Sequence, residues 1–322
     1  MPTVSIITPC YNSGEYIAET VESVQAQTLL SWEQIVVDDG STDESPSVVQ
    51  GYLNEEPRLR LITVTNGGCA SARNLGFKAS SPQSRYLLFL DADDRLDPQM
   101  LSRMCQYLDE HEHVGLVYCG YHVINSESEM VPTEMSDMPP RPRLAPHWLG
   151  IRALRPQEVR TPLACIFSLT AGIIPSLALF RRSVYEMTPG WDESMGIIYE
   201  DVGLYLHVAL RSEVHYLQQP LVHYRRHPEQ STAPERGRER EAIQRAKLYA
   251  KWEHMSGLTL GQQDQLDDAH AFQNGRIVPL SGLMTAMKAL RQGHWRDALR
   301  FGGGALRRYA ASFLTRLSFY VW

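Results

Sequence analysis

The chain has 322 residues, 43% hydrophobic and 21% charged, with 31 basic residues against 37 acidic ones and a formal net charge of −6. This balance excludes a disordered or collagen-like chain, and the length buries roughly three quarters of the unfolded surface, enough for one large domain with an appendage. The acidic excess argues against nucleic-acid binding, although residues 276–322 hold eight basic residues and one acid and form a basic tail.

The first 120 residues alternate between two periods. VSIIT at 4–8, QIVVD at 34–38, LRLITV at 59–64, YLLFL at 86–90 and GLVYC at 115–119 are short, apolar and partly β-branched, which predicts strands buried on both faces. Because 4–8 already reads as a strand, a basic-then-apolar leader is not expected there. Ile17, Val21 and Val24, and again Leu101, Met104 and Leu108, recur at helical spacing between the strands. Asp97 before Pro98 is a helix start, a cap acceptor followed by a residue of preset φ. Alternation at this spacing predicts an α/β fold with a mostly parallel sheet covered on both sides, whose ligands sit beyond the carboxyl ends of the strands.

Farther on, residues 132–162 hold seven prolines and read as a long loop beside the site or between lobes. Residues 161–180 carry no charge, the length of a membrane span. Their prolines, glycine and hydroxyls favour buried interior, with a single span as the alternative. Strand-like runs resume at 177–180 and 214–217, with a helical stretch at 201–210. From about 236 the pattern is helical to the end, broken by three glycines at 302–304. The cysteines, Cys10, Cys69, Cys105, Cys119 and Cys165, include no CxxC pair. That argues against a disulfide framework or a structural zinc site and fits a reducing, cytoplasmic compartment.

Unusual residues follow the strands: PCYN at 9–12, DDGSTD at 38–43, NGGCASARN at 66–74 and DADD at 91–94. Aspartates gathered at buried strand ends repel one another unless a cation or donors compensate. Asp91 and Asp93, two apart across a turn, can offer oxygens to Mg²⁺ or Mn²⁺ and leave positions open for phosphate. Gly67-Gly68 before a helix carrying Arg73 reads either as an ordinary turn or as backbone N–H groups brought close to phosphates. Neither GxGxxG nor GxxxxGK[ST] is present, so dinucleotide and ATPase readings lose support.

Taken together, VSIITPCYN (4–12), VVDDGSTD (36–43), GGCASARNLG (67–76), YLLFLDADD (86–94), PGWDE (189–193) and YED (199–201) resemble the motifs of family 2 glycosyltransferases, in their order and spacing. The resemblance covers about residues 2–232. It implies a GT-A catalytic domain over 1–235, a helical extension over 236–322, and inverting transfer of one sugar from a nucleotide-diphosphate sugar, most commonly a UDP-sugar. Pro9, Tyr11, Asn12, Asp39, Arg73, Asp91 and Ala92 then match the nucleotide-sugar side, and Asp93 and His227 the divalent metal. Asp201 matches the general base, while Trp191, Asp192 and Glu200 match the acceptor side. The implied partners are the nucleotide-sugar donor and a glycan or lipid-linked acceptor. The QxxRW of processive synthases is absent, which favours a single transfer. The rival reading is a nucleotide-sugar-binding protein of the same fold without catalysis. In 305–322, Leu306, Tyr309, Ala310, Phe313 and Leu317 form an apolar stripe with arginines elsewhere. That pattern suits a helix lying on the inner face of the cell membrane and, equally, one packed on protein.

Overall fold

The structure is a computed structural model that describes residues 1–131, 173–195 and 200–230, together with 247, 248, 251, 258, 259 and 262. The proline-rich stretch, the first part of the uncharged 161–180 segment, the domain boundary at 235/236 and the basic tail lie outside the described residues.

Eight strands are described: β1 (Val4–Cys10), β2 (Trp32–Asp38), β3 (Leu59–Thr63), β4 (Tyr86–Phe89), β5 (Arg95–Leu96), β6 (Val114–Ile124), β7 (Ala178–Arg181) and β8 (Glu213–Arg225). They form one sheet in the order β3-β2-β1-β4-β7-β6-β8-β5. Pairings β3/β2, β2/β1, β1/β4 and β6/β8 are parallel, whereas β7 runs antiparallel to both β4 and β6, and β5 to β8. The mostly parallel sheet expected from the alternation is therefore present, with one reversed strand at its centre. Every residue of β1 and β4 is buried, as continuous apolar runs require when both faces of a sheet are covered.

The covering helices are α1 (Ile17–Gln25), α2 (Ser45–Tyr52), α3 (Cys69–Ala79), α4 (Met100–Glu110), α5 (Arg182–Tyr185) and α6 (Glu200–Ala209). Helix α1 buries Ile17, Thr20, Val21 and Val24 on one face, and α4 buries Leu101, Met104 and Leu108, the stripes that the spacing predicts. Asp97 accepts from the Gln99 N–H at 2.9 Å in the turn before α4, whereas the helix itself starts at Met100 with Gln99 at its cap position, two residues later than the Asp97-Pro98 signature suggests. Helix α3 lies against β1 so closely that a Cβ on Gly76 would stand 2.4 Å from Ile7 Cγ2. Gly76→Ala is accordingly expected to lower stability by about 1–3 kcal/mol through overpacking, as measured by denaturant unfolding.

Strand β8 runs well beyond the expected 214–217. The ladder shifts register between Cys119 and Gly120 and again before Tyr121, and this irregularity admits Pro220, which cannot donate to a regular ladder. The longer strand carries the chain from Glu213 to Arg225 and delivers His227 to the aspartate turn. Residues 177–180 are buried; Leu177 ends a short 3-10 turn and 178–180 enter the sheet in β7, so the described end of the uncharged segment is protein interior. Among the described residues, no helix is long and apolar enough to cross a membrane.

Candidate functional site

The site lies beyond the carboxyl ends of β1, β2 and β4. After β4 the chain turns through Asp91, Ala92, Asp93 and Asp94, with the Asp94 N–H donating to the Asp91 carbonyl at 3.2 Å. Helix α1 holds this turn from one side, where the Thr20 hydroxyl lies 2.9 Å from the Ala92 carbonyl and 2.8 Å from that of Asp94. Arg225 holds it from the other. Its Nε donates to the Asp93 carbonyl at 2.8 Å and its backbone N–H to Asp94 Oδ1 at 3.0 Å. The same guanidinium reaches Glu19 at 3.0 Å and Ser128 at 2.8 Å, and lies over the Tyr16 ring at 4.8 Å. Arg225 is fully buried and was not singled out in the sequence, where it is one of two consecutive arginines in a strand end.

With the backbone pinned, the two flanking carboxylates meet different partners. Asp93 Oδ2 lies 3.1 Å from His227 Nε2, and the His227 ring packs on Tyr16 with 4.7 Å between centroids. The distance matches adjacent ligands of one octahedral ion, which stand about 3 Å apart for bonds of about 2.1 Å. His227 Nδ1 has no partner among the described residues. Asp91 Oδ1 instead accepts from Arg73 Nη2 at 2.7 Å.

Arg73, on α3, joins the two halves of the site. While Nη2 holds Asp91, Nη1 donates to Glu200 Oε1 at 3.1 Å, and the guanidinium stacks over Trp191 at 4.2 Å. Arg73 and Glu200 are buried, yet Arg73 Nε and Glu200 Oε2 lack partners among the described residues. One guanidinium does not offset the desolvation of two carboxylates. Burial therefore raises Asp91 and Glu200 above the ordinary carboxyl range, more than Arg73 lowers them. Asp201 follows in the first turn of α6 and accepts from the Val202 N–H at 2.7 Å. Burial and then the neighbouring Glu200 charge push Asp201 up to about 7, overriding the helix N-terminus that favours its ionised form. Asp94 is also raised well above the ordinary carboxyl value, by burial and then by Asp93 and Asp91. The Arg225 guanidinium is paired with Glu19, so Arg73 alone offsets Asp91, Asp93, Asp94, Glu200 and Asp201, a charge imbalance and a donor set that fit a divalent cation.

Other expected residues occupy different places. Trp191 is only 2% exposed and packs edge-on against Phe89 at 4.9 Å, so it floors the Arg73 pocket from the core side. Asn74 clamps the turn before it, donating to the Trp191 carbonyl at 2.8 Å and accepting from its N–H at 3.0 Å. Asp192 pairs with Lys251 and accepts from the Ser194 hydroxyl at 2.7 Å. Trp191, Asp192 and Glu200 line one cavity of about 730 Å³, of which Asp201 is not a lining residue.

On the opposite flank, Pro9 and Ala92 are buried and Tyr11 is half exposed. Asn12 Oδ1 accepts from the Thr42 N–H at 2.8 Å, tying β1 to the loop after β2. Asp39 corrects the phosphate reading of Gly67-Gly68, because both N–H groups already donate to its carboxylate, at 2.7 and 2.9 Å. Gly68 adopts φ +91°, a conformation that favours glycine.

The architecture is that of GT-A transferases. TarS 1–349 of S. aureus in complex with UDP-GlcNAc superposes with a TM-score of 0.57 at 19% identity, over 95% of this chain and 92% of that one. The mannosyltransferase PcManGT from Pyrobaculum calidifontis, in complex with GDP-Man and Mn²⁺, gives 0.55 at 19% identity over 98% and 87%. At such identity the likeness is one of fold. The profile of Glycosyl transferase family 2 matches residues 5–187, and the chain belongs to that family. The uncharacterized glycosyltransferase EpsJ of Bacillus subtilis is 36% identical over 127 residues, 39% of this chain and 36% of EpsJ. Across EpsJ and similar curated relatives, the chain spans between about a third and a half of their length.

Proposed function

We propose that the chain transfers one sugar from a nucleotide-diphosphate sugar to an acceptor hydroxyl, with inversion at the anomeric carbon, in glycan or polysaccharide assembly. The observation that carries this reading is the Asp93–His227 pair at 3.1 Å, joined through the Arg73 bridge to the helix start that bears Asp201. Family membership supports it, as do structural neighbours solved with UDP-GlcNAc or with GDP-Man and Mn²⁺.

In this reading Pro9, Tyr11, Asn12, Asp39 and Ala92 form the nucleotide side, with Asp91 at the ribose. Asp93 and His227 would hold Mg²⁺ or Mn²⁺, which when bound supplies positive charge for the departing diphosphate. Asp201 takes the proton of the acceptor hydroxyl as its oxygen attacks the anomeric carbon from the face opposite the diphosphate. The new C–O bond forms as the bond to the diphosphate oxygen breaks, so an α-linked donor yields a β-linked product. Arg73 keeps Glu200, and through it the start of α6, in register with the donor side. Asp192 and Glu200 belong to the acceptor side, and Trp191 supports it from beneath. Where the acceptor is lipid-linked, residues 305–322 would rest on the anionic membrane face.

The test incubates the purified chain with UDP- and GDP-sugars, Mn²⁺, and a panel of glycan and lipid-linked acceptors, and measures nucleoside diphosphate release. Release that disappears in Asp201→Asn is the expected result. Saturable donor binding with no release by the wild type above a protein-free control would favour the non-catalytic reading instead.

A further inference from the structure

A second cluster of metal-ligating side chains lies at the opposite end of the sheet and takes no part in the site described above. Strands β6 and β8 start side by side, with Val114 opposite Glu213 and Val117 opposite His215, and the Glu213 N–H donates to the His113 carbonyl at 3.2 Å. Glu213 and His215, two apart, share one face of β8. Glu213 Oε2 is 2.8 Å from His215 Nε2 and 3.8 Å from His113 Nε2. The ligand atoms of all three lie within 4.8 Å of one another, the one such group among the described residues.

The surroundings are those of a prepared imidazole site. His215 Nδ1 lies 2.8 Å from Tyr107 Oη, so with Nε2 turned to an ion the other nitrogen keeps a hydrogen-bond partner that fixes the ring. His111, at the end of α4, donates from Nδ1 to the Tyr107 carbonyl at 2.8 Å and stacks on the Tyr107 ring at 4.2 Å. Its centroid is 6.1 Å from that of His113 and 6.2 Å from that of His215. Two imidazoles and a carboxylate, with a third imidazole beside them, form a donor set for Zn²⁺ rather than Mg²⁺. The strands separate this cluster from His227 by roughly 30 Å, taking about 3.3 Å per residue along β6.

We infer that His113, Glu213 and His215 form a second, zinc-class metal site that staples the start of β8 to the α4–β6 connection. The ion binds Nε2 of the two imidazoles and Oε2 of Glu213, and the ring proton of His215 sits on Nδ1, toward Tyr107 Oη. The argument against structural zinc from the cysteines misses such a site, since none of its ligands is a cysteine.

The test strips the purified full chain with EDTA and titrates it with ZnCl₂ in excess Mg²⁺, following heat and melting temperature. His113 is 60% exposed at its side chain, so His113→Ala keeps the fold, and Glu213→Gln gives an independent variant of similar shape. The expected result is one equivalent bound with a raised melting point, weakened about tenfold or more in both variants and unchanged in Asp93→Ala. Absence of saturable zinc binding in the wild type, wild-type affinity in His113→Ala, or loss of the site in Asp93→Ala would overturn the inference.

Discussion

Asp201→Asn leaves donor affinity close to that of the wild type and lowers kcat by about 10³-fold, within the range by which a positioned base accelerates proton transfer. The amide keeps the size of the side chain and can still accept from the Val202 N–H, so binding and fold survive while proton acceptance is lost. The wild-type pH profile carries the same signature. With Asp201 pushed up to about 7, kcat/KM rises with pH to a plateau above neutrality, and its midpoint belongs to the Glu200–Asp201 pair together. Stability moves in the opposite direction. The ordinary aspartate value is about 3.9, so between that and about 7 the folded state binds the extra proton. Stability falls as pH rises through this window. Asp201→Asn escapes the loss, so the variant melts above the wild type at pH 8 and alongside it at pH 4. Equal kcat in the two proteins would remove Asp201 from the role of base.

Arg73→Met has the largest expected effect on stability. Removing the guanidinium strands Asp91 and Glu200 without the partner that both share, and breaking a buried ion pair from one side costs about 3–5 kcal/mol. In a chain of this size that corresponds to a fall in melting temperature of about 4–7 °C. The double variant Arg73→Met/Glu200→Gln recovers part of the loss, because a neutral amide replaces one stranded charge. Circular dichroism melts check both. A fall below 1 kcal/mol in Arg73→Met would show that the bridge is not what holds the two halves together.

The half of the sheet that carries the candidate site is legible in the chain because β1, β2 and β4 are buried on both faces, and continuous apolar runs mark them and the polar turns that follow. The DADD turn stands out for the same reason, placed directly after YLLFL. Strand β8 was legible only at its start, since Pro220 and alternating polar residues mask a strand that survives through an irregularity in β6. Arg225 could not be read at all. Its partners, Glu19, Asp93 and Ser128, are scattered over 206 positions of sequence, and no local pattern distinguishes a buried arginine from an exposed one. For Asp39 and Trp191 the residue was noticed but its contacts were not. The clamp on Gly67 and Gly68 and the stacking beneath Arg73 depend on how loops from different strands meet.

The most direct test of the account is calorimetric binding of the donor that gives turnover, carried out with Mn²⁺ and with EDTA, in wild type, Asp93→Ala and His227→Ala. The account predicts tight binding only in wild type with Mn²⁺, with both variants reduced to the metal-free level. Donor binding by the wild type that is as strong in EDTA as in Mn²⁺ would contradict it.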